Sequence, residues 1–235
     1  RSVQYMIGEY GQGSFLDQYC GTGTGSWTRG SRYVPTNDLV NAYEKIDGSP
    51  GKYLESKINL NDPYNGWDPR LKFTVIVPGS YILGYRFPNF LYPGGAFNHS
   101  GNKLKHLGSR KYFVQNEADL PPAGQSYIND IVLRYADVIL SKAEAIIETN
   151  GDVTEAIQLI NRIRTERTDV KISLLPLTLN RDQAREKLRH ERRIEFALEG
   201  RYWADIKRWN IGHEIYPLKV VDHKGGIIET KFPNG

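Results

Sequence analysis

Two amphipathic stripes joined by a two-residue link constrain this chain more than any other feature. Ile128, Ile131, Val132, Tyr135, Ile139, Ala143 and Ile146 recur at the period of a helix with one apolar face. Asn150-Gly151 then supplies the left-handed turn that ends a helix. Asp152 and Glu155 follow as a D-x-x-E capping pattern, which opens a second helix with the stripe Val153, Ala156, Ile157, Ile160 and Ile163. So short a link makes the pair antiparallel, a hairpin over 128–167 of about 40 residues, near the size of a tetratricopeptide unit. One such hairpin cannot bury its own face, and stacked repeats normally need about three units. The pair therefore needs partners, and because the chain offers only one further helical segment, more are expected upstream.

That further segment covers helices over 181–210. Asn180 and Gln183 make a capping box. Gly200 costs about 1 kcal/mol relative to Ala in a helix interior, so a kink or a break is expected there. Ala184, Leu188, Leu198, Tyr202, Ile206 and Trp209 share one face, and Glu191 and Glu195 lie on it too. Trp203 and Trp209 are expected in the core.

Residues 1–127 follow a different grammar. "GTGTGS", "DGSPG", "NDPYNGWDP", "VPGS" and "YPGG" punctuate short runs with turn chemistry. "VPTNDLVNAYEKI" reads as a short helix with Thr36 as N-cap and Leu39, Val40, Tyr43 and Ile46 as its apolar face. "RLKFTVIV" has the alternation of a strand over 71–77, and "KYFV" at 111–114 reads as another. The fold class is thus mainly α with a loop-rich, minor-β region: 1–127 as that region, then 128–235 as a helical scaffold with a C-terminal tail. Long loops kept within a domain usually serve a surface purpose.

Composition narrows the function classes. No apolar run approaches the roughly 20 residues of a bilayer span. Net charge is +4, too small an excess to argue for nucleic acid. Cys20 is the only cysteine, which rules out an intrachain disulfide or a Cys-based zinc site. No small residues precede it as a lipidation site would have them, so it reads as an ordinary thiol. The chain starts at Arg1, so sequence upstream is expected.

Several motifs lose their chemical reading on inspection. "HERRI" at 190–194 begins like H-E-x-x-H, but Ile194 stands where the second ligand belongs. "GTGTGSW" matches neither phosphate-loop pattern and reads as a flexible loop or a mobile stem for Trp27. Arg185, Lys187, Arg189, Arg192 and Arg193 spread round their helix among carboxylates, as on a solvated, salt-bridged face. "NHS" at 98–100 matters only in a eukaryotic secretory protein. For Glu191 and Glu195, catalytic carboxylates, metal ligands and ion-pair partners are all open. Adjacent turns of a core-facing stripe offer no cleft for a glycosidase pair, so paired arginines are expected, with Arg134, Arg162, Arg164 and Arg192 as donors. No cofactor or metal is expected. Trp27 and Trp67, set among glycines and polar residues, have the chemistry to stack on sugar rings.

"DIVLRYADVILSKAEAI", "AIQLINRIRTER" and "REKLRHERRIEFALEGRYWADIKRW" together resemble the C-terminal half of the SusD/RagB family, as do "VPTNDLVNAYEKIDGSP" and "NDPYNGWDPRL" in order and spacing. The resemblance runs over about 34–212. It implies a fold of tetratricopeptide-like helix pairs with irregular ligand-binding loops. It implies a non-enzymatic lipoprotein on the outer-membrane surface of a Bacteroidetes-type bacterium, anchored by a lipid outside this chain. Its implied work is to capture an oligosaccharide and deliver it to a SusC-like TonB-dependent transporter. The competing reading is a protein–protein interaction module of the transporter complex that handles a non-glycan nutrient. The family's closing Pro-Ile-Pro segment is not present. The family has no fixed binding motif, so the candidate glycan contacts come from loop position and chemistry: Trp27 first, then Trp67, Tyr33, Tyr81 and Tyr92, with Asn37, Asn65, Asp68 and Arg86 to read hydroxyls.

Overall fold

The computed structural model describes residues 2–3, 35–53, 57–82, 85–86, 107–112, 128, 130–215, 219–221 and 227–229. Seven helices stand among them: α1 (Asn37–Ala42), α2 (Pro69–Thr74), α3 (Tyr135–Glu148), α4 (Val153–Thr165), α5 (Arg181–Glu195), α6 (Arg201–Trp209) and α7 (Gly212–Ile215). The strands are two or three residues long and pair antiparallel: β1 (Ser2–Val3) with β6 (Asp130–Ile131), β2 (Val75–Ile76) with β5 (Gly108–Ser109), β3 (Tyr81–Ile82) with β4 (Tyr85–Arg86), and β7 (Lys219–Val221) with β8 (Ile227–Glu229).

α3 and α4 form the antiparallel hairpin. Asn150 takes φ 59°, and the Asp152 carboxylate accepts from the Thr154 N–H to start α4. The hairpin's first helix is shorter than its sequence stripe suggests. Residues 130–131 are extended against β1, and helix begins only at Tyr135. Its buried face is also turned by one position: Ile139, Leu140, Ala143 and Ile147 go inward, while Tyr135 and Val138 are exposed. Ala156, Ile157 and Ile160 of α4 and Ala184 and Leu188 of α5 close this core.

α5 opens with the complete Asn180–Gln183 capping box and stops at Glu195. Gly200, at φ 72°, sits in the left-handed region and precedes α6, so the sequence breaks here into two helices. Trp203 departs from expectation: it is exposed, with Lys207 Nζ 4.8 Å from its ring centre. Trp209 lies half-buried and donates its indole N–H to Glu144 at 2.6 Å.

A second core gathers the loop-rich region. Val40 from α1 and Tyr43 at its C-cap, Leu71 from α2, Val75 and Ile76 from β2, and Trp67 pack together, with Ile194 arriving from α5. Thr36 caps α1, its hydroxyl accepting from Leu39 N–H at 3.3 Å. The strand expected over 71–77 is instead helix over Pro69–Thr74 followed by a two-residue strand. Asp68 is the reason: its carboxylate caps the Arg70 N–H, and Pro69 at the first helical position has its φ already set for a helix. The run at 111–114 is a turn at residues 111–112, with 113–114 outside the described residues.

Candidate functional site

The two glutamates on the α5 stripe stand at the junction of the cores. Glu191 is fully buried and Glu195 nearly so. Glu191 Oε1 accepts from Arg70 Nη1 at 2.5 Å and Oε2 from Arg164 Nη1 at 2.9 Å. Glu195 Oε2 accepts from the same Arg70 Nη1 at 2.9 Å, and Oε1 from Arg134 Nη1 at 2.5 Å and Arg167 Nη1 at 3.0 Å. Arg70 is itself held by Asp68, Nη2 to Oδ2 at 2.8 Å, and Arg164 by Glu44 at 2.6 Å. Burial alone would push Glu195 up, yet Arg70, Arg134 and Arg167 hold it down to about 2. Burial opposes Glu44 in the same way and Arg164 reverses it. Burial disfavours the charged Arg70, and Glu191 and Asp68 restore it. These carboxylates are anchors for the arginines around them.

The expected donors divide. Arg134 and Arg164 pair with the two glutamates. Arg192 turns away from them to Asp205 at 3.0 Å and Asp137 at 3.2 Å, because its place on the helix faces α3 and α6. Arg162 points to solvent and pairs with Glu166 one turn on, at 2.9 Å. Arg70 and Arg167 are not among the donors that the sequence leads one to expect. For Arg70 a signal existed: Asp68-Pro69 is a helix start, which puts Arg70 beside its own cap. Nothing local marks Arg167.

The loop candidates also divide. Trp67 is a core side chain, 8% exposed, bridged to Lys45, whose Nζ lies 3.4 Å from the ring centre. Gly51 approaches so closely that a Cβ there would fall 2.4 Å from the indole. The ring therefore has no face for a sugar, and the stacking role expected of Trp67 is corrected to packing. Asp68 is likewise corrected from hydroxyl reader to helix cap and partner of Arg70. Asn37 is buried in the first turn of α1, whereas Asn65 is exposed in the turn before Trp67. Tyr81 is 62% exposed, and the β3–β4 register sets it directly opposite Arg86. Trp27, Tyr33 and Tyr92 lie outside the described residues. Among the described residues no group of three or more His, Cys, Asp or Glu converges to hold a metal ion, and no helix is long and apolar enough to cross a membrane.

Known proteins share both the sequence and this architecture. The SusD family model matches residues 2–231. Two SusD-like proteins of Formosa agariphila are 36% and 39% identical over 96 and 92 residues, stretches that cover 19% and 18% of those proteins. Among solved structures, a SusD-like carbohydrate binding protein from Bacteroides fragilis superposes with a TM-score of 0.71 at 29% identity, over 91% of this chain and 42% of that one. A second SusD-like protein from Bacteroides fragilis gives a TM-score of 0.66 at 29% identity, covering 91% of this chain and 43% of its own. This chain thus spans less than half the length of those two proteins. By the family match, it belongs to the SusD family.

Proposed function

We propose that this member of the SusD family captures an oligosaccharide at the outer-membrane surface and passes it to a SusC-like TonB-dependent transporter, without acting on it chemically. The observation that carries the reading is the likeness, over 91% of this chain, to a protein described as carbohydrate binding. The chemistry of the site is compatible with it. The carboxylates that most resemble a catalytic pair are locked to arginines, and the exposed aromatic Tyr81 stands on a short hairpin opposite Arg86. An aromatic face stacks on the apolar face of a sugar ring while polar neighbours read its hydroxyls. Trp27, in the "GTGTGSW" loop, remains the first-choice platform on its sequence setting, and Tyr33, Tyr92 and Asn65 are further proposed contacts.

The test is calorimetry of the full chain against a panel of oligosaccharides, with Trp27→Ala and Tyr81→Ala as variants. Saturable heat for at least one glycan, weakened about tenfold or more by either variant, is the expected result; about tenfold is 1.4 kcal/mol of binding. A panel without any heat, or release of a modified sugar, overturns the reading.

A further inference from the structure

A cavity of about 260 Å³ opens beside the Glu195 junction, and none of the proposed glycan contacts is among its described lining residues. Its wall has two characters. Phe73, on the outer side of α2, is 41% exposed, and Ile131 and Ile194 continue that apolar side. Opposite in character stand Arg167, Arg134 and Lys111. The carboxylates among the lining residues are unequal. Glu195 and Glu199 are almost wholly buried and already engaged, Glu195 by three arginines and Glu199 by Arg134 and by Lys111 at 2.5 Å. Only Asp169 brings an exposed negative charge. The arginine side chains keep solvent-facing surface, 44% for Arg167 and 25% for Arg134. Glu195 takes one N–H of Arg167 at 3.0 Å, which holds the guanidinium at the cavity, and a guanidinium carries five N–H donors in all.

We infer that this cavity is a subsite for a single acidic sugar residue, with its carboxylate or sulfate on Arg167 and its ring against Phe73. A planar guanidinium held in place by a buried carboxylate is preorganised to bind a second oxyanion by paired N–H donors. The volume falls just under the roughly 300–1,000 Å³ of drug-sized sites, which suits one ring and excludes a long chain segment. A ring with one apolar face and one anionic substituent satisfies both walls at once. A neutral ring leaves the arginine edge unused, and a bare anion leaves Phe73 unused. The inference rests on the glycan-binding reading and adds a charge preference to it.

Titration of the full chain with glucuronate, glucose and inorganic sulfate in low salt tests it, using Phe73→Ala and Arg167→Gln, both at half-exposed positions. Glucuronate should bind at least about tenfold more tightly than glucose or sulfate. Arg167→Gln should remove most of that preference with the melting temperature within a few degrees of the parent, and Phe73→Ala should weaken glucuronate several-fold. Added salt should weaken it as well. Equal binding of sulfate and glucuronate would mean a bare anion site and overturn the sugar assignment. Neutral oligosaccharides that bind while glucuronate does not would leave the glycan reading standing and remove this inference alone. Glucuronate binding unchanged in both variants would also remove it.

Discussion

The core between α3, α4 and α5 is apolar and assembled from neighbours in sequence, whereas the core around Trp67 and Leu71 is gathered from short segments and leans on charge. In the first, Ile157, Ile160, Leu140 and Leu188 interlock on regular helices, and removal from water does the work. In the second, Ile194 and the half-buried Ile128 reach over from the helical half, and the tie beneath it is Arg70 clamped by Asp68, Glu191 and Glu195. A short irregular segment cannot bury enough surface to orient itself by hydrophobicity alone. A guanidinium that fits three carboxylates gives it one register, at the cost of desolvating four charges.

The strongest way to break the comparison is Arg70→Ala. It leaves Asp68 buried without its cation and robs both glutamates, so a loss of ~3–5 kcal/mol is expected in chemical denaturation. A loss below about 1 kcal/mol would show that the second core stands without the clamp. Acid should act next, and on the same side. Glu195 is held at about 2 in the folded state against an ordinary glutamate near 4.5. A carboxylate so depressed adds stability above its unfolded pKa and loses it as the pH falls through its folded one. Urea midpoints should therefore fall between about pH 4.5 and about pH 2. Glu195→Gln should be less stable at neutrality but flatter over that window; an unchanged slope would deny the linkage. The apolar core should respond more gently to a single methylene: Ile157→Val is expected to cost about 1 kcal/mol, independent of pH, by thermal melting. Smallest of all is Arg162→Ala. Its pair with Glu166 is solvent-exposed, and a change under about 0.5 kcal/mol is expected. A larger one would mean that the surface pairs matter as the buried ones do.

Legibility in the sequence followed the same division. The α3–α4 hairpin, the Asn180–Gln183 box, the break at Gly200 and the Thr36 cap depend on residues within a few positions of one another, and periodicity and capping rules report on that range. The strand expected at 71–77 failed because alternation outweighed the helix start at Asp68-Pro69. Trp67 misled because glycines and prolines around an aromatic suggest display, while Lys45 and the close approach of Gly51 enclose it. Trp203 misled in reverse: an aromatic within a helical segment normally packs, but no described element covers that position.

By itself the sequence determined the helical scaffold and the family resemblance, because helix period and caps are set by local backbone sterics and hydrogen bonding. It also placed two glutamates on an apolar face and required cations for them. Which cations was left to the tertiary structure. Arg70 lies 121 residues from Glu191 and reaches it only because α2 turns beside α5. Arg162 and Arg192, closer in sequence, face elsewhere on their helices. Partner choice for a buried charge depends on where side chains end in space, and spacing along a chain does not encode that.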